Sequence, residues 1–408
     1  MKLGAGNEAE DIPAGGRVLL PWRWGRGKAV EAFEWARPYW TRGEAGRETP
    51  PELLRVLYLS WIGAFVLKVL GASWDVSWHF KWLRDDLAPP HLLNSAGTAI
   101  VLALTIVHSY TGYGVDRTAQ RLIQWGTGAF LIAVPIDLIN HRINGVDITS
   151  WSPSHMLLYV GTAFMIAGVI RGWYLYALPG RRRTVMLGAF FVFFLENTLF
   201  PSEHQEYGVL ELASFVRGKP YAEDDLLRFA AEQMGRPIDL TMAEKFSLPV
   251  PDWVYPMWFG IAAMMVLVLA RALIGRNWSA TAVAGVYVGF RALIWPLLVA
   301  ADFPPSAVPF FLLAAAVCVD VAFMVRLPAV RAVLGAVLVT AGVYGGLAVQ
   351  DRLLEAPPYL LASAPVTLVA LGAAWYGAEW YRRRRSSEPE TPAALPLGTP
   401  AAPGPAAS

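Results

Sequence analysis

Five of the six histidines in this 408-residue chain fall between positions 79 and 155. The phrase Asp75-Val-Ser-Trp-His79 is followed after eleven residues by His91, and Asp137-Leu-Ile-Asn-His141 is followed after thirteen by His155. Corresponding positions lie 62 to 64 residues apart, which reads as a duplicated helical hairpin. An Asp and a His at i and i+4 stack on one helical face and can grip one ion from the same side. A His at the start of the next helix supplies a third donor. Such triplets leave coordination positions open, as catalytic sites do, and the ligand set alone does not choose the metal: imidazole suits zinc, copper, iron and nickel, and two His with one carboxylate is also the facial set of non-haem iron oxygenases. Asp75, His79, His91, Asp137, His141 and His155 are therefore the candidate metal ligands. The plainer alternative is six interfacial polar residues satisfied by one another. Two copies in the same order argue against it, because ionisable groups at membrane depth are expensive.

The elements that must position these residues are membrane helices. Hydrophobic residues make up 55% of the chain and charged residues only 16%, with a mean hydropathy of +0.40, whereas soluble chains are about a quarter charged. An all-α polytopic bundle of about ten spans is expected, near 53–72, 91–112, 122–140, 154–177, 184–201, 253–274, 280–301, 306–325, 328–348 and 358–380. The charged stretch from Arg17 to Arg47 precedes any apolar segment, so a signal peptide is not expected and anchoring falls to the first span. Arginines collect in alternate connections: Arg117 and Arg121, Arg181 to Arg183, Arg271 and Arg276, Arg326 and Arg331, and Arg382 to Arg385. The positive-inside rule puts these and both termini in the cytoplasm, and so puts both triplets at the outer face. The chain then divides into a cytoplasmic segment at 1–52, a metal-binding five-helix region at 53–201, an outer cap at 202–252, a C-terminal five-helix region at 253–381 and a disordered tail at 382–408. Ala29 to Trp40 reads as an interfacial helix or a plain cytoplasmic one. The cap, with ten acidic against five basic residues, contains an amphipathic stretch at Tyr221 to Met234. With 34 Lys+Arg against 32 Asp+Glu there is no basic surface for nucleic acid, and the single Cys318 excludes disulfides and thiolate clusters.

The stretch from Asp75 through His79, Arg84-Asp85 and Pro90 to His91 resembles the metal-binding segment of the C subunit of particulate methane and ammonia monooxygenases, the copper membrane monooxygenases. That family carries a second phrase of Asn, three residues, His, thirteen residues, His, where this chain has Asp137, His141 and His155. The resemblance covers roughly residues 55 to 175. It implies copper at both triplets, in a helical subunit that helps to oxidise a small apolar molecule with dioxygen alongside partner subunits; iron or zinc, and a homo-oligomer, are the alternatives. The chain departs from the pattern in a first gap one residue shorter, in Asp137 for Asn and in five further spans. It is therefore expected to be a distant relative.

Other residues have weaker claims. Glu196, Glu203, His204 and Glu206 lie at the same level as the triplets and could complete a coordination sphere or relay protons, with a solvated loop mouth as the alternative. Arg84, Asp85 and Asp147 could orient the histidines. His108 reads as a packing histidine, Arg291 and Asp320 as members of helix–helix ion pairs, and Trp78, Trp82 and Trp151 as membrane-belt anchors. A metal-dependent oxidoreductase is the leading reading. The alternatives are a metal-handling or transport protein, which needs a polar path that the first four spans scarcely offer, and a structural partner subunit with a bound metal.

Overall fold

The computed structural model describes residues 30–83, 87–144 and 149–387, apart from the side chains of 141, 144 and 385–387. In chain order its helices are α1 (Pro51–His79), α2 (Pro89–Thr111), α3 (Arg117–Asn144), α4 (Pro153–Tyr176), α5 (Arg181–Val216), α6 (Asp224–Met234), α7 (Leu240–Ser247), α8 (Val254–Ile274), α9 (Ser279–Ala300), α10 (Phe311–Ala322), α11 (Pro328–Leu353) and α12 (Ala364–Ser387). Proline opens α1, α2, α4 and α11, at positions whose N–H would lack a helical acceptor anyway. Gly112 ends α2 and Gly275 ends α8 in the left-handed conformation that glycine adopts without strain. α8 contains one π-helical turn at Phe259–Ala263.

Nine helices among the described residues are long and apolar enough to cross a membrane: α1 to α5, α8, α9, α11 and α12 with the turn before it. The protein is thus an all-α, multi-pass membrane protein. The span expected at 306–325 differs. Its helix, α10, has 12 residues, or about 18 Å at 1.5 Å per residue, short of a ~30 Å hydrocarbon layer. Pro304, Pro305 and Pro309 keep the preceding segment out of a helix. That irregular backbone is buried and bonded to its neighbours, as apolar surroundings demand. Ser77 Oγ donates to Pro304 O at 2.7 Å, the Ala307 N–H to Glu206 O at 2.8 Å, and Gln350 Nε2 to Val308 O at 3.1 Å.

The fifth span also departs from expectation, because α5 continues past 201 to Val216. Pro201 costs the helix one N–H, yet the helix runs on through it. Beyond Val216 the chain forms a cap in which α6 buries Leu226, Leu227, Ala230 and Ala231. These pack with Val76 and Phe80 of α1, Tyr207 of α5 and Met242 and Phe246 of α7. Residues 30–36 are helical and exposed, consistent with the helix expected near Ala29, which itself lies outside the described residues. So does the expected tail from 388 onward, while Ser386 and Ser387 end α12.

Two helical hairpins, α1 with α2 and α3 with α4, carry the duplicated phrase. Glycine sets how closely each closes. A Cβ on Gly71 would stand 2.9 Å from Asn94 N and from Pro90 O, and one on Gly97 2.8 Å from Ala64 O. A Cβ on Gly126 would stand 2.5 Å from Gly161 O, and one on Gly161 2.8 Å from Phe130 N. Small residues at these crossings let backbones touch, which is how helices associate in lipid.

Candidate metal centre

The first triplet is assembled by one helix end and the next helix start. Asp75 and His79 lie one turn apart on the last turns of α1, and the prolines at 89 and 90 open α2 so that His91 projects from its first turn. His79 Nε2 stands 3.4 Å and His91 Nε2 2.8 Å from the same oxygen, Asp75 Oδ1. One donor atom from each of the three lies within 4.8 Å of the others. Bonds of 2.0–2.2 Å to a single ion put neighbouring donors about 3 Å apart, so these side chains need only small rotamer adjustments to enclose one. The two imidazoles and one carboxylate fit a divalent transition metal and leave other coordination positions open.

In the second triplet Asp137 and His155 are paired, His155 Nε2 standing 3.3 Å from Asp137 Oδ1. Ser154 donates to the same carboxylate oxygen at 2.8 Å, and Ser152, capping α4, accepts from the His155 N–H at 3.4 Å. The side chain of His141 lies outside the described residues, as do Arg84, Asp85 and Asp147.

The first triplet and the Asp137–His155 pair face one cavity of about 670 Å³, lined by Asp75, His79, His91, Asp137 and His155. Phe65, Val69, Phe130, Leu158, Ile166 and Phe193 make its walls mostly apolar, and Phe229 and Ala230 of α6 cover it. Lys68, Asn94, Thr98 and Glu196 add polar groups to the lining. His204 also lines it, packed on Phe80 at 4.9 Å between ring centroids, with Nε2 3.2 Å from Phe246 O.

Glu203 and Glu206 do not form a solvated loop mouth. They lie inside α5, fully buried, and clamp Arg291 of α9, whose Nη1 is 2.6 Å from Glu203 Oε1 and whose Nη2 is 2.8 Å from Glu206 Oε2. Tyr255 OH donates to Glu206 Oε1 at 2.9 Å, and Arg291 donates to Tyr287 OH at 3.1 Å and Ser306 Oγ at 2.9 Å. Glu196 adjoins Glu203, accepts from Ser73 Oγ at 3.1 Å and faces the cavity. Three buried carboxyls thus gather around one guanidinium beside the cavity. Asp320, also expected to pair between helices, meets Arg271 at 2.9 Å and accepts from the Thr281 N–H and hydroxyl, each at 2.8 Å.

His108 is a packing residue. It is fully buried, accepts from Trp61 Nε1 at 2.9 Å and holds Tyr113 O at 2.8 Å through Nδ1. The three tryptophans make ring contacts: Trp78 with Trp74, Trp82 and Phe303, and Trp151 with Trp258. Trp82 also lines the cavity.

No family model, curated protein or solved structure matches the chain.

Proposed function

We propose that the protein is a metal-dependent membrane oxidoreductase, with copper the first choice of metal and iron or zinc next, that oxidises a small apolar substrate with dioxygen. One observation carries the reading: donor sets from two duplicated hairpins line a single, mainly apolar cavity inside a membrane bundle. A transporter site would continue as a polar path through the bundle, whereas this cavity is walled mostly by Phe, Leu, Ile and Val, with Lys68, Asn94, Thr98 and Glu196 as local polar groups. The arginine distribution supports an outer-face site with both termini in the cytoplasm, the tenth crossing being made by the irregular segment at 302–310 together with α10.

Asp75, His79 and His91 would hold one ion, and Asp137, His141 and His155 a second. Copper in such a site would supply dioxygen activation. The chain's own groups do the rest. The apolar walls seat the substrate and exclude water, and the cap helix α6 covers it. Ser154 fixes the orientation of the Asp137 carboxylate. Glu196 can pass protons between the cavity and the Glu203–Arg291–Glu206 cluster. Insertion of one oxygen atom into a C–H bond releases the other as water and consumes two electrons and two protons, so an external reductant is required. A partner subunit or a second copy of the chain could provide it.

Metal analysis and an electron paramagnetic resonance spectrum of detergent-purified protein test this directly. One or two transition-metal ions per chain, with copper(II) signals of nitrogen and oxygen ligation, are expected. The variant His79→Ala/His141→Ala should lose them, and an undiminished metal content there would sink the assignment.

A further inference from the structure

The inner end of the cavity holds a charge that the metal reading does not use. Lys68 is 8% exposed and lies seven residues before Asp75 on the same face of α1, so about 10 Å deeper at 1.5 Å per residue. Its ammonium donates to Asn94 Oδ1 at 2.8 Å and Thr98 Oγ1 at 3.2 Å and sits 3.9 Å above the Phe130 ring. All of these partners are neutral, and no carboxylate pairs with it among the described residues. Every other buried Lys or Arg among them pairs with an acidic residue: Arg291 with Glu203 and Glu206, Arg331 with Glu379.

An uncompensated cation at membrane depth is costly and marks a site for an anion. Lys68, Asn94 and Thr98 all line the cavity. Asn94 and Thr98 follow His91 by one and two turns on α2, so both helices of the first hairpin run from a metal-ligand end to this polar end. Asn94 spends its carbonyl on Lys68, and its amide nitrogen has no partner among the described residues, which leaves a second donor beside the ammonium. The second repeat lacks this pair. Lys68 corresponds to Phe130 and Asn94 to Leu158, so the polar end belongs to one repeat and the facing wall is apolar.

We propose that the cavity binds a single-chain carboxylic acid, its carboxylate on Lys68 and Asn94 and its alkyl chain running between the two hairpins toward Asp75 and His91. The inference names a substrate class for the proposed oxidation site and rests on that reading for its catalytic meaning, yet the binding itself needs no metal. It is therefore tested on the full chain stripped with chelator.

The measurement is saturable binding of ¹³C-carboxyl decanoate to the protein in neutral phosphatidylcholine nanodiscs, referenced to empty nanodiscs, with decanol and acetate in parallel. Decanoate should bind, Lys68→Met should weaken it at least tenfold, and Lys68→Arg should restore most of the affinity. Decanol should bind weakly and ignore the substitution, and acetate should not bind. Should Lys68→Met fail to fold, Asn94→Leu leaves the lysine in place and should still weaken decanoate several-fold. Equal affinity of decanoate and decanol, or of decanoate for wild type and the folded variants, would overturn the proposal. So would acetate matching decanoate, which describes a plain anion site, or binding that requires added copper. Any of these would leave the metal assignment standing, while loss of metal binding alone would leave the carboxylate site standing.

Discussion

The hairpins α1/α2 and α3/α4 carry one phrase on equivalent elements, yet they are finished differently. In the first, two histidines share one oxygen of Asp75, which keeps 26% of its side chain exposed. In the second, Asp137 is 8% exposed and takes a hydrogen bond from Ser154, where the first hairpin has Pro90. Deeper down, the first hairpin is polar through Lys68 and Asn94, and the second presents Phe130 and Leu158 at those positions. The two hairpins therefore form one cavity with two unlike walls. Two equal copies would have made a symmetric pocket with no preferred orientation for a guest. The differences give it a more open donor set, a more sheltered one, and a polar end on one side only.

The largest expected effect separates the two donor sets. His79→Ala/His91→Ala should remove one equivalent of bound metal and Asp137→Ala/His155→Ala another, each leaving its counterpart. If either variant emptied both, the sites would be a single coupled centre and the comparison would fail. Exposure sharpens it further: with Asp75 the more accessible carboxylate, a chelator should strip the first site before the second. Next in size is Ser154→Ala. Hydrogen bonds that orient a ligating carboxylate are worth about 10- to 100-fold in metal affinity, so this variant should weaken the second site by that factor and leave the first unchanged. Competition titration against a copper chelator reads both.

The duplicated phrase is legible in the sequence because side chains that meet on one helical face need fixed spacing, and spacing is local. Spans are legible for the same reason, since hydropathy is summed over neighbours. The features that escape a sequence reading depend on partners far away in the chain. Glu203 and Glu206 look like part of an acidic loop because nothing near them signals burial; their neutralising Arg291 comes 85 residues and more later. For that reason the local pattern ends α5 at Pro201, whereas the helix continues to Val216. The span at 306–325 fails differently. Its apolar composition satisfies a hydropathy window, but Pro304, Pro305 and Pro309 each push the residue before them out of the helical region, so the helix begins only beyond Pro309. Those prolines are the available signal. Lys68 is visible as a charged residue well inside its span, but its place at the end of the cavity comes from packing with α2 and α3.

Glycine offers a smaller contrast between the hairpins. A methyl at 126 would meet the Gly161 carbonyl at 2.5 Å and Met165 N at 2.6 Å, against 2.9 Å for the nearest backbone atoms at 71. Overpacking of this kind costs about 1–3 kcal/mol. Gly126→Ala should therefore lower thermal stability in detergent more than Gly71→Ala does, by about 1 kcal/mol. Equal losses would mean that the second hairpin is no more tightly closed than the first.

The smallest effect lies at the opposite end of the second hairpin. There Asp116 accepts from the Ala119 N–H at 2.9 Å, capping α3, and from Arg171 of α4 at 2.6 and 3.0 Å. The first hairpin has Leu54 and Val107 at the corresponding positions, so this clamp is the second hairpin's own. Partial burial pushes the Asp116 carboxyl up, but the Arg171 hydrogen bonds and the Ala119 N–H outweigh it and hold the group below the usual carboxylate range. A carboxyl whose folded value is depressed adds stability that is complete above its unfolded value, about 3.9, and is lost as pH falls through the folded value. Asp116→Asn keeps a capping oxygen and removes the charge. With both partners part-exposed and solvent screening the pair, the cost at pH 7 should be about 1 kcal/mol or less. Unfolding curves from pH 7 downward decide the matter: the difference between the two proteins should be full at pH 7 and shrink as the pH falls below about 3.9. A difference that persisted unchanged at low pH would assign the loss to the cap, and the ion pair would no longer distinguish one hairpin from the other.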